Sequence, residues 1–422
     1  MNDSSLADRD LLSGADEMFN AADHSASGYG GGSSSLDTRR WSASKANRWY
    51  ARQPWLIGAN YVPASASNQL DMWQADSFAL HEIDRELGWA AALGMNTMRV
   101  FLTDLLWESD REGFAQRIDD FLGVCARHGI RPMLVLFDSC WNAAPELGPQ
   151  ATPQAGVHNA GWLQVPGQIA LLDRDAWPRL RDYVEGVVAR FANDRRILAW
   201  DIWNEPCNPG NPHRPNDLAQ AKFDAVAALL PQVFAWARGQ GPVQPLTCGL
   251  WQHDDWSPNA RLTSVEAMQL TLSDIVSFHD YGNVEQFAGR VAQLQAWGRP
   301  VLCTGWLARS TGSTIDAILP TARRLNVGMI NWGLVSGRTQ TTLPWDSWLT
   351  PYASEPERWF HDLLRPDGTP YCAVEAAMIL ALAKLDCPLP QARAAASRTA
   401  SYGATVPDRA PRRPSARRPA SP

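Results

Sequence analysis

The residues Trp200-Asp201-Ile202-Trp203-Asn204-Glu205-Pro206 are the stretch of this 422-residue chain that most suggests chemistry. The apolar run from Leu198 to Trp203, rich in aromatic and branched side chains, predicts a buried strand. Pro206 cannot donate to a ladder and drives Glu205 out of helical space, so the strand stops there. A carboxylate is thereby left beside the Asn204 amide at the carboxyl end of a buried strand. Chemistry that needs a proton donor next to a hydrogen-bonding neighbour uses such a pair. A strand-end Glu that merely caps a helix or pairs with an arginine gives the same pattern, so the other strand ends must decide.

Strand-like runs and helix-period segments alternate along the chain. The strands are expected at 55–62, 97–102, 132–138, 198–203, 245–251, 275–281, 300–304 and 329–333. Helical segments lie between them, at about 80–93, 114–128, 177–192, 218–238, near 265, 285–297 and 315–325, with a last one near 373–385. Strict alternation implies a parallel sheet, and eight such units at this length imply a single α/β (β/α)8 TIM barrel. No Gly-rich phosphate turn follows the first strand, which disfavours an open doubly wound sheet. Residues 1–48 are Ser/Gly-rich and 388–422 are Arg/Pro/Ala/Ser-rich, and both are expected to be disordered tails around a 49–387 barrel domain.

Active sites of such barrels lie at the carboxyl ends of the strands. Strand one supplies Asn60 and Tyr61 there, strand two Arg99, strand three Asp138 and Trp141, and strand four Asn204 and Glu205. Strand five adds Trp251, strand six His279 and Tyr281, and strand eight Trp332. Each has a plain structural reading: Arg99 as a partner of Asp138, His279 as a satisfied core residue, Trp332 as packing. Their shared rim favours a binding site.

Composition narrows the classes. A net charge of -6 and a pI ≈ 5.8 provide no footprint for nucleic acid. Seven scattered cysteines without a CxxC pair indicate neither a zinc site nor a disulfide framework, and their odd number suits a reducing compartment. No signal peptide and no membrane-length apolar run is visible, so the expectation is a cytoplasmic protein without cofactor, metal or membrane contact. Twenty Trp residues hint at flat faces for sugar rings, although Trp is also core filler.

Over residues 53–385 the chain resembles the retaining glycoside hydrolases of clan A, close to family 5, in a cellulase-like or 1,4-β-xylanase branch. The motifs that carry the likeness are Arg99, Trp203-Asn204-Glu205-Pro206, Phe278-His279-Asp280-Tyr281 and Trp332. The resemblance implies that Glu205 is the general acid/base and that Asn204 binds the sugar 2-hydroxyl. It further implies that His279 and Tyr281 line the subsite, that Trp332 is its floor, and that Arg99 keeps the nucleophile ionised. The nucleophile of that clan is a Glu at the end of strand seven, followed by an aromatic residue. Here the register falls on Gly305, followed by Trp306. A retaining mechanism needs two carboxyl groups about 5–5.5 Å apart, and glycine cannot attack.

Three explanations stay open. The favoured one is a nucleophile exchange introduced into an otherwise intact hydrolase. A natural loss would leave a non-catalytic carbohydrate-binding protein. Alternatively Asp138 or Asp280 takes over, as in an inverting enzyme with carboxyls about 6.5–9.5 Å apart. Loop 139–168, with Trp141, His158, Asn159 and Trp162, and the segment 341–348, with Trp345 and Trp348, are expected to flank the cleft as binding loops on the aglycone side. The partner is expected to be a β-linked oligo- or polysaccharide of gluco- or xylo-configuration.

Overall fold

The eight expected strands are all present in the computed structural model, which describes residues 40–210, 218–252 and 255–385. They are β1 (Ile57–Asn60), β2 (Thr97–Phe101), β3 (Met133–Asp138), β4 (Ala199–Asn204), β5 (Leu246–Thr247), β6 (Val276–His279), β7 (Val301–Gly305) and β8 (Gly328–Trp332). The ladder runs β5-β4-β3-β2-β1-β8-β7-β6, and every pair is parallel. A single bridge, Leu250 to Phe278, joins β5 to β6 and completes a (β/α)8 barrel. The strands are buried on both faces, as expected of a parallel sheet wrapped by helices. Only Trp332, at the end of β8, reaches partial exposure.

The surrounding helices are α1 (Ala43–Tyr50), α2 (Gln69–Trp73), α3 (Leu80–Ala92), α4 (Asp104–Ser109), α5 (Arg111–Arg127) and α6 (Gln168–Leu172). They continue with α7 (Trp177–Phe191), α8 (Ala219–Gly239), α9 (Ser264–Leu272), α10 (Val284–Gln295), α11 (Ile315–Arg324) and α12 (Ala373–Ala383). Local chemistry sets their ends. Thr263 with Glu266, and Asn283 with Gln286, form reciprocal capping boxes at the starts of α9 and α10. Gly94 and Gly129 follow α3 and α5 at φ 83 and 69, the left-handed turn that glycine takes without a Cβ clash.

Helix α1 corrects the expected tail boundary. It begins inside the 1–48 segment read as disordered and ends just past it, because the Ser/Gly-rich run upstream masks its short apolar face. Ser42 caps it by accepting from the Lys45 amide, and Trp41, Ala46 and Tyr50 pack on Leu56, Met133, Leu198 and Ile330 at the strands' amino ends. The helix thus plugs the barrel floor, opposite the mouth. Residues 1–39 and 386–422, which cover the rest of both expected tails, lie outside the described residues.

A bulge in β7 aims one position of the mouth. Phe278 pairs with Cys303 but His279 pairs with Gly305, so Thr304 is an extra residue. Such a bulge bends its strand and re-aims the residues beyond it. Gly305 consequently faces the His279 side chain.

Candidate active site

Glu205 sits just past β4 with φ 44, an unfavourable conformation for a residue with a Cβ. Backbone held in such regions concentrates at functional sites. Both of its carboxylate oxygens are engaged: Oε1 bonds His279 Nδ1 at 2.8 Å, and Oε2 accepts from Asn208 Nδ2 at 2.7 Å and from Cys140 Sγ at 3.2 Å. Burial pushes the Glu205 pKa up, but the hydrogen bond and charge of His279, with help from Cys140 and Asn208, bring it below the usual glutamate value. Glu205 is thus held as a carboxylate. A general acid wants the opposite shift.

Gly305 leaves no room for a side chain. A Cβ there would lie 2.7 Å from His279 Cγ and 2.8 Å from the Tyr281 hydroxyl. The ring and the phenol fill the place from which a strand-seven carboxylate would face Glu205.

Arg99 is buried inside the barrel and its partner is neither Asp138 nor an empty site. Nε and Nη2 donate to Asp201 Oδ2 at 2.9 and 2.8 Å, and Nη1 donates to Asn60 Oδ1 at 2.9 Å. Nη2 also donates to Asn204 Oδ1 at 2.8 Å, while the Asn204 amide donates to Asp138 Oδ1 at 2.9 Å. Asn204 therefore ties Arg99 to Asp138. Asp201 escaped the sequence reading, yet it carried a signal: a carboxylate within an apolar strand must find a buried partner.

Asp138 accepts from the Cys140 amide, the Asn204 amide and Trp162 Nε1, at 2.9, 2.9 and 2.7 Å. Burial still raises its pKa to about 7, against these three donors. Nearby Lys222 is buried on α8, with its pKa lowered to about 8 by burial; it donates to Ser139 O and Gln164 Oε1. Asp280 turns away from the mouth to pair with Arg290 at 3.1 Å. Both carboxylates thus have partners of their own.

The remaining expected residues divide. Asn60 donates to Thr304 O and Asn331 O, bracing the strand ends at the mouth. Trp332 packs edge-on against Phe101 and Trp162, with ring centroids 5.7 and 5.9 Å away. Trp345 meets Tyr281 edge-on at 5.1 Å, and Trp141 contacts Trp348 at 5.8 Å. Trp251 is partly buried and donates to Pro206 O at 3.1 Å, holding the loop after Glu205. Two side chains point elsewhere. The Tyr61 hydroxyl points outward to Glu86 on α3 at 3.0 Å, and Trp306 is 1% exposed within the main core. For Tyr61, one step past the strand end turns the side chain to the helix layer; for Trp306, the bulge before Gly305 has the same effect. Asn208 and Cys140, which hold Glu205, were not anticipated: an Asn three residues after a Glu carries no pattern of its own.

Loop 139–168 reaches the ends of β1 and β8. Trp162 and Asn159 share a cleft with Asn60, Phe101 and Trp332. His158 is buried, bonding Leu343 O at 2.7 Å, and joins this loop to segment 341–348. Among the described residues no group of three or more His, Cys, Asp or Glu could hold a metal ion, and no helix is long and apolar enough to cross a membrane.

No family model and no curated protein matches the chain. Solved structures do. A GH5_18 protein from Streptomyces cattleya in complex with Manβ1-4GlcNAc superposes with a TM-score of 0.53 at 16% identity, over 80% of this chain and 82% of that one. The exo-β-1,4-mannosidase Op5Man5 from Opitutaceae bacterium strain TAV5 gives 0.52 at 19% identity, over 78% of this chain and 59% of that one. A β-1,4-D-mannanase from Cryptopygus antarcticus gives 0.53 at 11% identity, over 80% and 92%. The chain has the barrel fold of GH5-type glycoside hydrolases. At these identities the likeness is one of fold.

Proposed function

We propose that this chain is a saccharide-binding protein on a glycoside-hydrolase-type barrel, and that in its Gly305 form it does not hydrolyse its ligand by a retaining double displacement. The observation that carries this reading is the packing at position 305. Retention needs a second carboxylate about 5–5.5 Å from the acid/base, and here His279 and Tyr281 occupy that side of Glu205. Two further features support it. Arg99, the cation a nucleophile would need, is already neutralised by Asp201. Glu205 is held ionised, which suits accepting a hydrogen bond from a sugar hydroxyl better than delivering a proton. A nucleophile exchanged in an otherwise working hydrolase would have left Arg99 without a partner and a hole at 305.

The ligand class is a β-linked saccharide. The rings of Trp332, Trp345 and Trp141 offer apolar faces to equatorially linked pyranoses. Gluco- and xylo-configured chains were the expectation from sequence, and the mannosidase and mannanase among the fold neighbours add manno-configured ones. Calorimetric titration with mannobiose, cellobiose and xylobiose, alongside turnover of aryl β-glycosides, tests the reading. Saturable binding of at least one disaccharide with no enzyme-dependent aryl release is expected. Aryl release that disappears in Glu205→Gln would reject it.

A further inference from the structure

The barrel interior beside Glu205 is polar, and two of its buried atoms find no partner in the protein around them. His279 Nδ1 bonds Glu205 Oε1 at 2.8 Å, which leaves Nε2 on the far side of the ring. That nitrogen and Asp201 Oδ1, the oxygen Arg99 does not use, have no hydrogen-bond partner. His279 is 2% exposed and Asp201 0%. Burying one unpaired polar atom is costly, and two in one layer call for a common partner. Burial raises the Asp201 pKa, and after Arg99 the charge of His279 opposes the rise, so the ring and the carboxylate are close.

Gly249 marks the place of that partner. It is buried just beyond β5, and its carbonyl accepts from Gln269 Nε2. A Cβ there would lie 3.5 Å from Ser277 Oγ, 3.5 Å from Thr304 Oγ1 and 3.6 Å from His279 Nε2. Three polar atoms thus converge where any other residue would carry its side chain. Asp201 comes from the adjoining strand, in register with Thr247, two residues before Gly249. Gly249 is not among the glycines with positive φ, so its backbone does not demand glycine. The hydrogens are also accounted for. Thr247 Oγ1 donates to Ile275 O at 2.9 Å, so the contact of 2.7 Å to Ser277 Oγ uses the serine hydrogen. Thr304 Oγ1 lies 3.5 Å from Phe278 O, too far for a strong bond, and keeps its hydrogen for another acceptor.

We propose that one buried water beside Gly249 accepts from the Thr304 hydroxyl and bridges His279 Nε2 to Asp201 Oδ1, so that Gly249 and Asp201 position the His279 ring against Glu205. Three hydrogen bonds are the usual number for a buried water. Water suits the place because it donates to Nε2 of a neutral ring and accepts from Nε2–H of a charged one. In both states Nδ1–H is left to donate to the Glu205 carboxylate. Glycine at 249 is then required for the space it leaves, and Asp201 serves Arg99 with one oxygen and the ring with the other. The inference is independent of which ligand the mouth takes, since it concerns how Glu205 is presented to it.

The test compares the full chain with Gly249→Ala and Gly249→Ser. Alanine puts a methyl at ordinary contact distance from the three polar atoms and displaces the water, whereas serine puts a hydroxyl in its place. Nitrogen-15 NMR of the His279 ring should show a hydrogen-bonded Nε2 in the parent, an unbonded one in Gly249→Ala and a bonded one again in Gly249→Ser. Carbon-13 titration should place Glu205 higher in Gly249→Ala, where the ring that holds its charge is loosened. In Gly249→Ser it should return to the parent value. Equal shifts in both variants would mean that only bulk at 249 matters and would overturn the inference. Unchanged Nε2 and Glu205 signals in Gly249→Ala would overturn it as well. If Gly249→Ala does not fold, the parent and Gly249→Ser decide: a bonded Nε2 in both sustains the bridge, and an unbonded Nε2 in either rejects it.

Discussion

Arg99 and Asp201 form an ion pair sealed inside the barrel, with Nε and Nη2 both directed at the same carboxylate oxygen at 2.9 and 2.8 Å and neither side chain exposed. Burial raises the Asp201 pKa, and the charge and hydrogen bonds of Arg99 oppose that rise. Its second oxygen, Oδ1, has no partner, and neither has His279 Nε2. The charge balance of the barrel interior is thereby closed without a carboxylate on β7. It is closed from β4, four residues before Glu205.

Asp201→Ala should destabilise the fold strongly, because it strands a buried guanidinium. Breaking a buried pair typically costs about 3–5 kcal/mol, whereas replacing both partners by apolar residues is often neutral. Urea unfolding should therefore show a large loss for Asp201→Ala and a recovery in Arg99→Met/Asp201→Leu. A single-variant loss below about 1 kcal/mol, the range of exposed pairs, would mean that Arg99 re-pairs.

Gly305→Glu tests the packing at the mouth. Its Cβ must displace the His279 ring or the Tyr281 hydroxyl, and overpacking of this kind costs about 1–3 kcal/mol. Gly305→Ala should show a similar loss, since the collision begins at Cβ. Neither variant should gain hydrolysis of an aryl β-glycoside. A Glu variant that melts like the parent and turns over substrate orders of magnitude faster would restore the exchanged-nucleophile explanation.

How far the sequence carried is visible in single residues. The breaker at Pro206, the short apolar runs and the helix segments between them located every strand to within a few residues, because buried parallel strands write continuous apolar runs. Asn204, Glu205, His279 and Tyr281 meet at the mouth because strand ends of one barrel share one rim. What escaped depends on facing and register. The pattern in β4 does not reveal that Asp201 points at Arg99. Nothing in Val301–Gly305 announces the bulge at Thr304 that turns Gly305 onto His279. Position alone puts Tyr61 at the rim and Trp306 beside the strand-seven site, and a single step of backbone direction takes both side chains into the layers beneath. Asp362 lies 30 residues beyond β8 and joins the mouth only through the fold of that long segment.

Glu205 should titrate below 4.5, its ordinary value, and Asn208→Ala should raise it. Asn208 donates to Oε2 at 2.7 Å, and a hydrogen bond to the charged form favours ionisation. A folded pKa below the unfolded one adds stability that is present above about pH 4.5 and fades as the pH falls through the folded value. Glu205→Gln should remove that acid-side dependence. Carbon-13 titration of the parent and Asn208→Ala giving the same value would show that Asn208 does not set the charge.

Asp362 should act on stability in the opposite direction. Burial raises its pKa from 3.8 to about 7, against the Thr341 hydroxyl and the Arg309 charge. The folded state therefore binds this proton more tightly than the unfolded chain does. Its contribution is fully present below about pH 4 and is lost as the pH climbs towards 7, where the folded carboxyl ionises as well. Glu86 and Asp138, also raised to about 7, contribute with the same sign. Asp362→Asn keeps the shape of the protonated carboxyl, and the Thr341 hydroxyl can still donate to its amide oxygen. The variant has nothing to ionise, so its stability relative to the parent should improve steadily from pH 4 to pH 7. Chemical unfolding at four or five pH values measures that difference directly. A difference that stays constant, or that grows against the variant, would mean that Asp362 is ionised in the fold throughout this range and that Arg309 outweighs burial.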